Sequence, residues 1–262
     1  MSTLATGPAP RTRAEAPPIT ITLGDRLQDV DEALAIVHRG FVEAGYARPR
    51  PSGRRMHPSY LNPGTLFAVA RMGGASVGTV AMVNDGPFGL PSDRAFVEEI
   101  DGLRDAGPVR EVGSLVVDAR WRRHTRDIYM HMLATMVRLV LDMDPLTNVV
   151  LSVTPENARF TSGLFGCDPI GEPRPLYGAP AVLLRTTAAQ LRECYAQPRS
   201  SSRRMMRRLA FDPDPEWLGV RRRTGAWPRE WLEPLLDEEG TRARLRRQAA
   251  LAGLDCEEAT MR

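Results

Sequence analysis

Glu111 heads the run Glu111-Val112-Gly113-Ser114-Leu115-Val116-Val117, a carboxylate set just ahead of apolar residues. A carboxylate at the start of a buried strand loses hydration, so its pKa rises and it becomes suited to general-base work near neutral pH. The plainer reading is a salt bridge at the sheet rim, with Arg104 or Arg110 as partner, and the residues alone leave both readings open. Gly113 fits a β-bulge or a simple relief of crowding. Ser114 adds a hydroxyl, but no Gly-x-Ser-x-Gly elbow surrounds it and no histidine accompanies it, so a covalent serine intermediate is not expected.

Anion chemistry is written further along. Arg120, Arg122, Arg123 and Arg126, interleaved with His124 and Thr125, stand where a helix begins. Guanidinium forks bind phosphate bidentately and a helix N-terminus favours anions; a solvated basic loop is the alternative. A second group, Arg199, Arg203, Arg204, Arg207 and Arg208, recurs at i, i+4 steps and makes one basic face if helical. Such a face steers acidic partners, or is an exposed charged helix or a nucleic-acid patch. His57, beside Arg54 and Arg55, is a candidate for binding a ligand carboxylate or an ordinary surface residue. His131 reads as solvent-facing and Cys167 as packing rather than a nucleophile.

Composition removes other chemistries. Arginine supplies every one of the 35 basic residues, so a lysine Schiff base and a Walker-type phosphate lysine are excluded. Three scattered cysteines without a Cys-x-x-Cys pair, and four histidines without a ligand cluster, argue against a disulfide framework or a zinc site and for a reduced, cytoplasmic protein. The net charge of +3 comes from residues 195–262, with 14 Arg against 11 acids, which is a weak nucleic-acid signature. No apolar run reaches the length of a membrane span, and residues 1–18 lack the apolar segment of a secretory signal, reading instead as a disordered leader.

The elements that must position these residues follow from periodicity. Short strands are expected at 19–23, 66–71, 76–83, 110–118, 148–153 and 180–186, with the second and third joined as a hairpin through Gly73-Gly74. Asp29 reads as the N-cap of a helix carrying Val30, Leu34, Val37 and Phe41. Residues 47–64 form an irregular Pro- and Arg-rich excursion, and 84–93 a turn-dense loop that is either a lid or acceptor rim or a tight connection. Helices are expected at 95–104, 125–144, 156–165, 191–210, 229–238 and 241–252. In the long helix Met132 and Met136 face the core, and methionine walls adapt to flexible apolar ligands. Strand, helix and strand across 110–153 imply a partly parallel α/β sheet.

That order, with strand 110–118 leading through a basic loop into the long helix, resembles the GNAT-type N-acyltransferase fold, a mixed central sheet flanked by helices. More locally, residues 64–93 and the segment VEEIDGLRDAGPVREVGSLVVD are similar to the catalytic core of bacterial long-chain N-acyl amino acid synthases, relatives of acyl-homoserine-lactone synthases. The similarity spans about residues 36–186 and includes Gly45-Tyr46 and YGAPAVLL at 177–184. It implies an amide-forming N-acyltransferase that takes a fatty acyl group from an acyl carrier protein thioester. It also implies that Glu111 is the base that frees the amine, that Gly113, Leu115, Val116 and Val117 offer backbone amides to the thioester carbonyl, and that Ser114 assists. Amides aimed at a developing oxyanion are the usual device for acyl transfer.

Two departures from the family pattern shape the expectation. GNAT enzymes place a glycine-containing turn after this strand, and here Arg122-Arg123-His124-Thr125-Arg126-Asp127 has no glycine, which hinders close backbone approach to a pyrophosphate. That favours carrier-tethered phosphopantetheine, gripped by Arg120, Arg122, Arg123, His124, Thr125 and Arg126, over free CoA. The tyrosine that relatives carry after a PxHxxF pattern is replaced in Pro155-Glu156-Asn157-Ala158-Arg159-Phe160-Thr161, leaving the proton donor to the thiolate unassigned. The expectation is therefore a 19–187 acyltransferase core with an Arg-rich helical extension over 188–262, its arginines 199–208 docking the carrier, and no tightly bound cofactor. Acyl-phosphopantetheine is the co-substrate, and an amino acid or small amine is the acceptor. A CoA-dependent enzyme acting on a small amine or peptide, and a non-catalytic binding module on the same scaffold, stand as the alternatives.

Overall fold

The computed structural model of the chain describes residues 17–24 and 26–211. The leader up to residue 16 and the helices expected at 229–238 and 241–252 lie outside the described residues.

Seven strands form one mixed sheet: β1 (Ile19–Leu23), β2 (Leu66–Met72), β3 (Ala75–Asn84), β4 (Val109–Val117), β5 (Asn148–Val153), β6 (Asp168–Leu176) and β7 (Ala179–Thr187), in the order β1-β2-β3-β4-β5-β7-β6. Only β4 and β5 run parallel, as their crossover helix α3 (Thr125–Leu141) requires. β2 and β3 meet through Gly73 and Gly74, at φ +56° and +82°, the left-handed pair that a two-residue hairpin turn demands.

Two apolar layers sandwich the sheet. On one face α3 lays Ile128, Met132, Leu133, Met136, Val137 and Val140 against Val80, Met82, Val112, Val149 and Leu151, the methionines in the core as their spacing predicts. Helices α4 (Pro155–Phe165), α5 (Ala188–Ala196) and α6 (Ser201–Ala210) add Leu164, Phe165, Leu191, Tyr195 and Met206 to that layer. On the other face α1 (Leu27–Glu43) and α2 (Asp93–Ala106) bury Val30, Leu34, Phe96 and Ile100 against Phe67, Val69, Ala81, Val83 and Val150. The excursion 47–64 folds over this second face, with Met56 and Tyr60 buried and the backbone N–H of Arg50 donating to His38 Nε2 (3.0 Å). Burial and the charges of Arg50, Arg55 and Arg39 hold the His38 pKa down, which keeps the imidazole an acceptor for this bond.

Three sequence expectations are corrected. Helix α1 begins at Leu27 with Arg26 at the cap, and Asp29 sits in its first turn, where it pairs with Arg71 at 2.6 Å. The helix expected over 191–210 is two helices, because Pro198 has no N–H to continue the first and Ser200 caps the second, accepting from Arg203 N (3.1 Å). Strand β6 was not expected at all. Its Pro169, Pro173 and Pro175 read as loop, but β6 is the outer edge of the sheet, where a strand pairs on one side only and tolerates missing donors.

Candidate active site

The sheet opens between β4 and β5. Their ladder covers only Val109, Arg110 and Glu111 against Asn148, Val149 and Val150. Beyond Glu111, β4 stays paired with β3 while β5 follows β7, so no ladder joins residues 113–117 to β5. A bulge sets the divergence: Ala81 faces Gly113 but Thr79 faces Val116, which gives β4 one extra residue. Gly113 was the sequence candidate for that bulge. The residue that takes the left-handed turn is its neighbour Ser114, at φ +51°.

Glu111 stands at the apex of this fork and is 2% exposed. Its Oε2 accepts from the backbone N–H of Ser92 (2.9 Å) and its Oε1 from the Ser92 hydroxyl (2.8 Å). The Ser92 hydroxyl in turn contacts that of Ser152 on β5, so a chain of oxygens runs from the carboxylate across the fork. Burial pushes the Glu111 pKa up to about 8, against the pull of both Ser92 hydrogen bonds and with a further push from the Asp93 charge. The rim salt bridge with Arg104 does not form, because Asp85, Asp93 and Asp101 occupy that guanidinium.

The cleft around Glu111 opens on the α1/α2 face. Its walls include Phe41, Tyr46, Arg55, Tyr60, Gly113, Ser114, Ser152, Thr154 and Tyr177. Tyr60 is buried and its hydroxyl contacts that of Ser114. Tyr177 and Gly178 form the β6–β7 turn, at φ +53° and +82°, which projects the Tyr177 ring toward Phe41 at 6.2 Å. Burial raises both phenol pKa values, so each remains a neutral donor at ordinary pH. Leu115, Val116 and Val117 continue β4 along the open edge and are half-buried.

Sequence reasoning named Glu111, Gly113 and Ser114, and the fold brings them together. It missed Ser92, Ser152, Tyr60 and Tyr177. The 84–93 loop is a tight connection pinned by Asn62, whose Nδ2 donates to the carbonyls of Asn84 and Gly89 (both 2.8 Å) and whose Oδ1 accepts from Phe88 N (2.9 Å). Its Pro91 nonetheless lines the cleft and its Ser92 holds the carboxylate. The signal for Ser92 was a serine just ahead of a helix. Nothing local pairs it with Glu111, since that contact is made only by folding. His57 caps the 3-10 turn Pro58–Leu61 by accepting from Ser59 N (3.3 Å), and its ring faces Tyr60 and Tyr177.

The arginine loop is a 3-10 turn, Ala119–His124, running directly into α3, with Thr125 its first residue and His124 at the cap. Arg120 is bound to Asp118, whose pKa its guanidinium and that of Arg39 hold well below the usual range. Arg122 reaches Glu43 at 3.1 Å, and Arg123 and Arg126 are exposed. The α6 arginines do not make one free basic face. Arg203 donates to the Gly163 carbonyl (2.8 Å) and Arg207 to that of Ala196 (3.3 Å), while Arg204 and Arg208 point outward and Arg199 lies in the link before the helix. Cys167 is buried at the start of the α4–β6 connection, its pKa raised to about 12 chiefly by burial, which makes it packing rather than a nucleophile. Among the described residues no helix is long and apolar enough to cross a membrane and no cluster of side chains suits a metal ion.

Comparison with known proteins places this geometry. No curated protein matches the chain. The solved structure of FeeM, an N-acyl amino acid synthase from uncultured soil microbes, superposes with a TM-score of 0.55 at 23% identity, covering 68% of this chain and 94% of that one. The acyl-homoserine-lactone synthase LasI superposes with a TM-score of 0.51 at 14% identity, covering 64% of this chain and 88% of the other. At those identities the likeness establishes the fold. The family model described as N-acyl amino acid synthase FeeM matches residues 32–187, from α1 to the end of β7 and so across the whole fork. The chain belongs to that family and is an amide-forming N-acyltransferase on a GNAT-like fold.

Proposed function

We propose that the enzyme moves a fatty acyl group from the phosphopantetheine thioester of an acyl carrier protein to the amine of an amino acid. The observation that carries the reading is Glu111, buried at the apex of a fork and facing a cleft, with its pKa raised to about 8. Such a carboxylate takes a proton from an ammonium group directly or through the Ser92 and Ser152 hydroxyls. The freed nitrogen attacks the thioester carbon, a C–N bond forms, and amides of the open β4 edge between Gly113 and Val117 receive the oxyanion. The C–S bond then breaks. The attacking nitrogen sheds its second proton as the amide forms and, with Thr161 buried in α4 where relatives carry a tyrosine, that proton reaches the departing thiolate by way of solvent.

For the donor, the glycine-free turn 119–124 supports a carrier-tethered arm with a single phosphodiester over free CoA. Arg123 and Arg126 are free to meet that phosphate, Arg122 engages it by exchanging a surface ion pair with Glu43 that contributes little, and Arg120, which stays bound to the buried Asp118, adds its charge beside them. His124 and Thr125 flank them at the start of α3. Arg199, Arg204 and Arg208 give an acidic carrier further contacts, on an extension beyond the 19–187 core. The test is the intact mass of products after supplying acyl carrier thioesters or acyl-CoA with a mixture of amino acids. Acyl amino acids formed faster from the carrier thioester support the reading. A large preference for CoA overturns the donor, and no consumption of any thioester overturns the activity.

A further inference from the structure

Arg55 is the cation of the cleft wall, and it is held in an unusual way. Its neighbour Arg54 is bound to Asp31, and Arg71, Arg104 and Arg174 each pair with carboxylates. Among the described residues no carboxylate reaches Arg55. Its Cζ instead lies 4.6 Å from the Phe41 ring centre and 4.8 Å from that of Tyr177, rings that are 6.2 Å apart. The guanidinium thus sits over the seam between two aromatic faces. These contacts hold the group through its charge and engage no hydrogen-bond acceptor, which leaves its N–H groups, the part that binds a planar anion bidentately, for a ligand. The backbone is fixed as well, since Arg55 N donates to the Leu34 carbonyl of α1 (3.2 Å).

A half-buried guanidinium without a counter-charge is costly unless a ligand supplies one. The cleft holds a cation at Arg55 and a proton acceptor at Glu111, and Tyr60 and Tyr177 feel both charges. A ligand complementary to that pair carries an anion and an amine a short distance apart, as a free amino acid does. We propose that Arg55 binds the carboxylate of the acceptor and so aims its amine at Glu111, which makes a free carboxylate, and not merely a primary amine, the requirement for acceptance. The proposal rests on the acyl-transfer reading above, deepening it by naming what the acceptor must carry.

The test uses the full chain with each standard amino acid and its α-amide, with and without holo acyl carrier protein. Thermal midpoint reports binding independently of turnover. At least one amino acid raises the wild-type midpoint and its amide does not; Arg55→Met, which keeps the packing against the rings, loses the shift, and Arg55→Lys keeps part of it. In turnover, Arg55→Met raises the acceptor KM by about 10- to 100-fold, the span of a charge-assisted pair, with kcat and the donor KM little changed. A midpoint shift that survives Arg55→Met, equal response to acid and amide, or no response to any amino acid overturns the proposal. So does a raised donor KM with an unchanged acceptor KM, which assigns Arg55 to the donor's phosphate. Should the midpoints behave as stated while no thioester is consumed, the carboxylate site stands and the acyl-transfer reading falls.

Discussion

Glu111 holds its proton through neutral pH, and a base must lose it before it can act. With the pKa at about 8, kcat/KM for the amine rises with pH and levels off above that value. A profile that is flat from pH 6 to 9 removes Glu111 from the proton-transfer step. Glu111→Gln keeps the shape and the contact with Ser92, and turnover falls by about 10²- to 10⁴-fold, the range of a positioned general base. Stability moves the other way. The folded pKa lies above the ordinary glutamate value of 4.5, so the stability this group contributes is full below about pH 4.5 and is lost as pH rises through 8. The glutamine variant escapes that loss, and its thermal midpoint gains on the wild type from pH 5 to 9. A constant difference across that range contradicts the raised pKa. The carboxylate and its apolar successors were legible in the sequence. Ser92 and Ser152, 19 and 60 residues removed from their partners in the chain, were not, because a hydrogen bond between distant residues leaves no local pattern.

The fork depends on how elements press on one another. Gly40 lies on the α1 side facing β4, and a Cβ there would stand 2.4 Å from Val116 Cγ1. Valine has few rotamers with which to yield, so α1 approaches the open strand this closely only through a glycine. Gly40→Ala gains about 1 kcal/mol of helix propensity and meets about 1–3 kcal/mol of overpacking, for a net loss of stability. With Val116→Ala in the background the clash is gone and Gly40→Ala becomes stabilising. Chemical denaturation of the four proteins in this double-mutant cycle gives the coupling, and additive effects rule out the contact. Helix and strand periodicity predicted α1, α3 and six of the seven strands closely. Strand β6 and the break at Pro198 escaped because proline reads alike in a loop and at a sheet edge, and the sheet, not the segment, decides which.

Across the whole molecule, charge bears on the donor. Arg122, Arg123, Arg126, Arg204 and Arg208 are exposed on a chain of net charge +3. If they receive an acidic carrier, the KM for the carrier thioester rises with salt, while that for the same acyl group on a short pantetheine thiol changes little. Arg123→Glu with Arg126→Glu raises the carrier KM by about tenfold or more at low salt, measured by steady-state kinetics in both donors. Equal salt dependence of the two donors refutes carrier steering.

The amino-acid sequence by itself determined the mixed α/β architecture, the strand that bears Glu111 and the family resemblance, because these rest on periodicity and on short motifs within one segment. Tertiary structure decided the depth at which Glu111 is buried, its Ser92 and Ser152 partners, and the union of Arg55, Phe41, Tyr60 and Tyr177 in one cleft. Those properties come from segments far apart in the chain. Their energetics depend on the desolvation and contact that only packing creates.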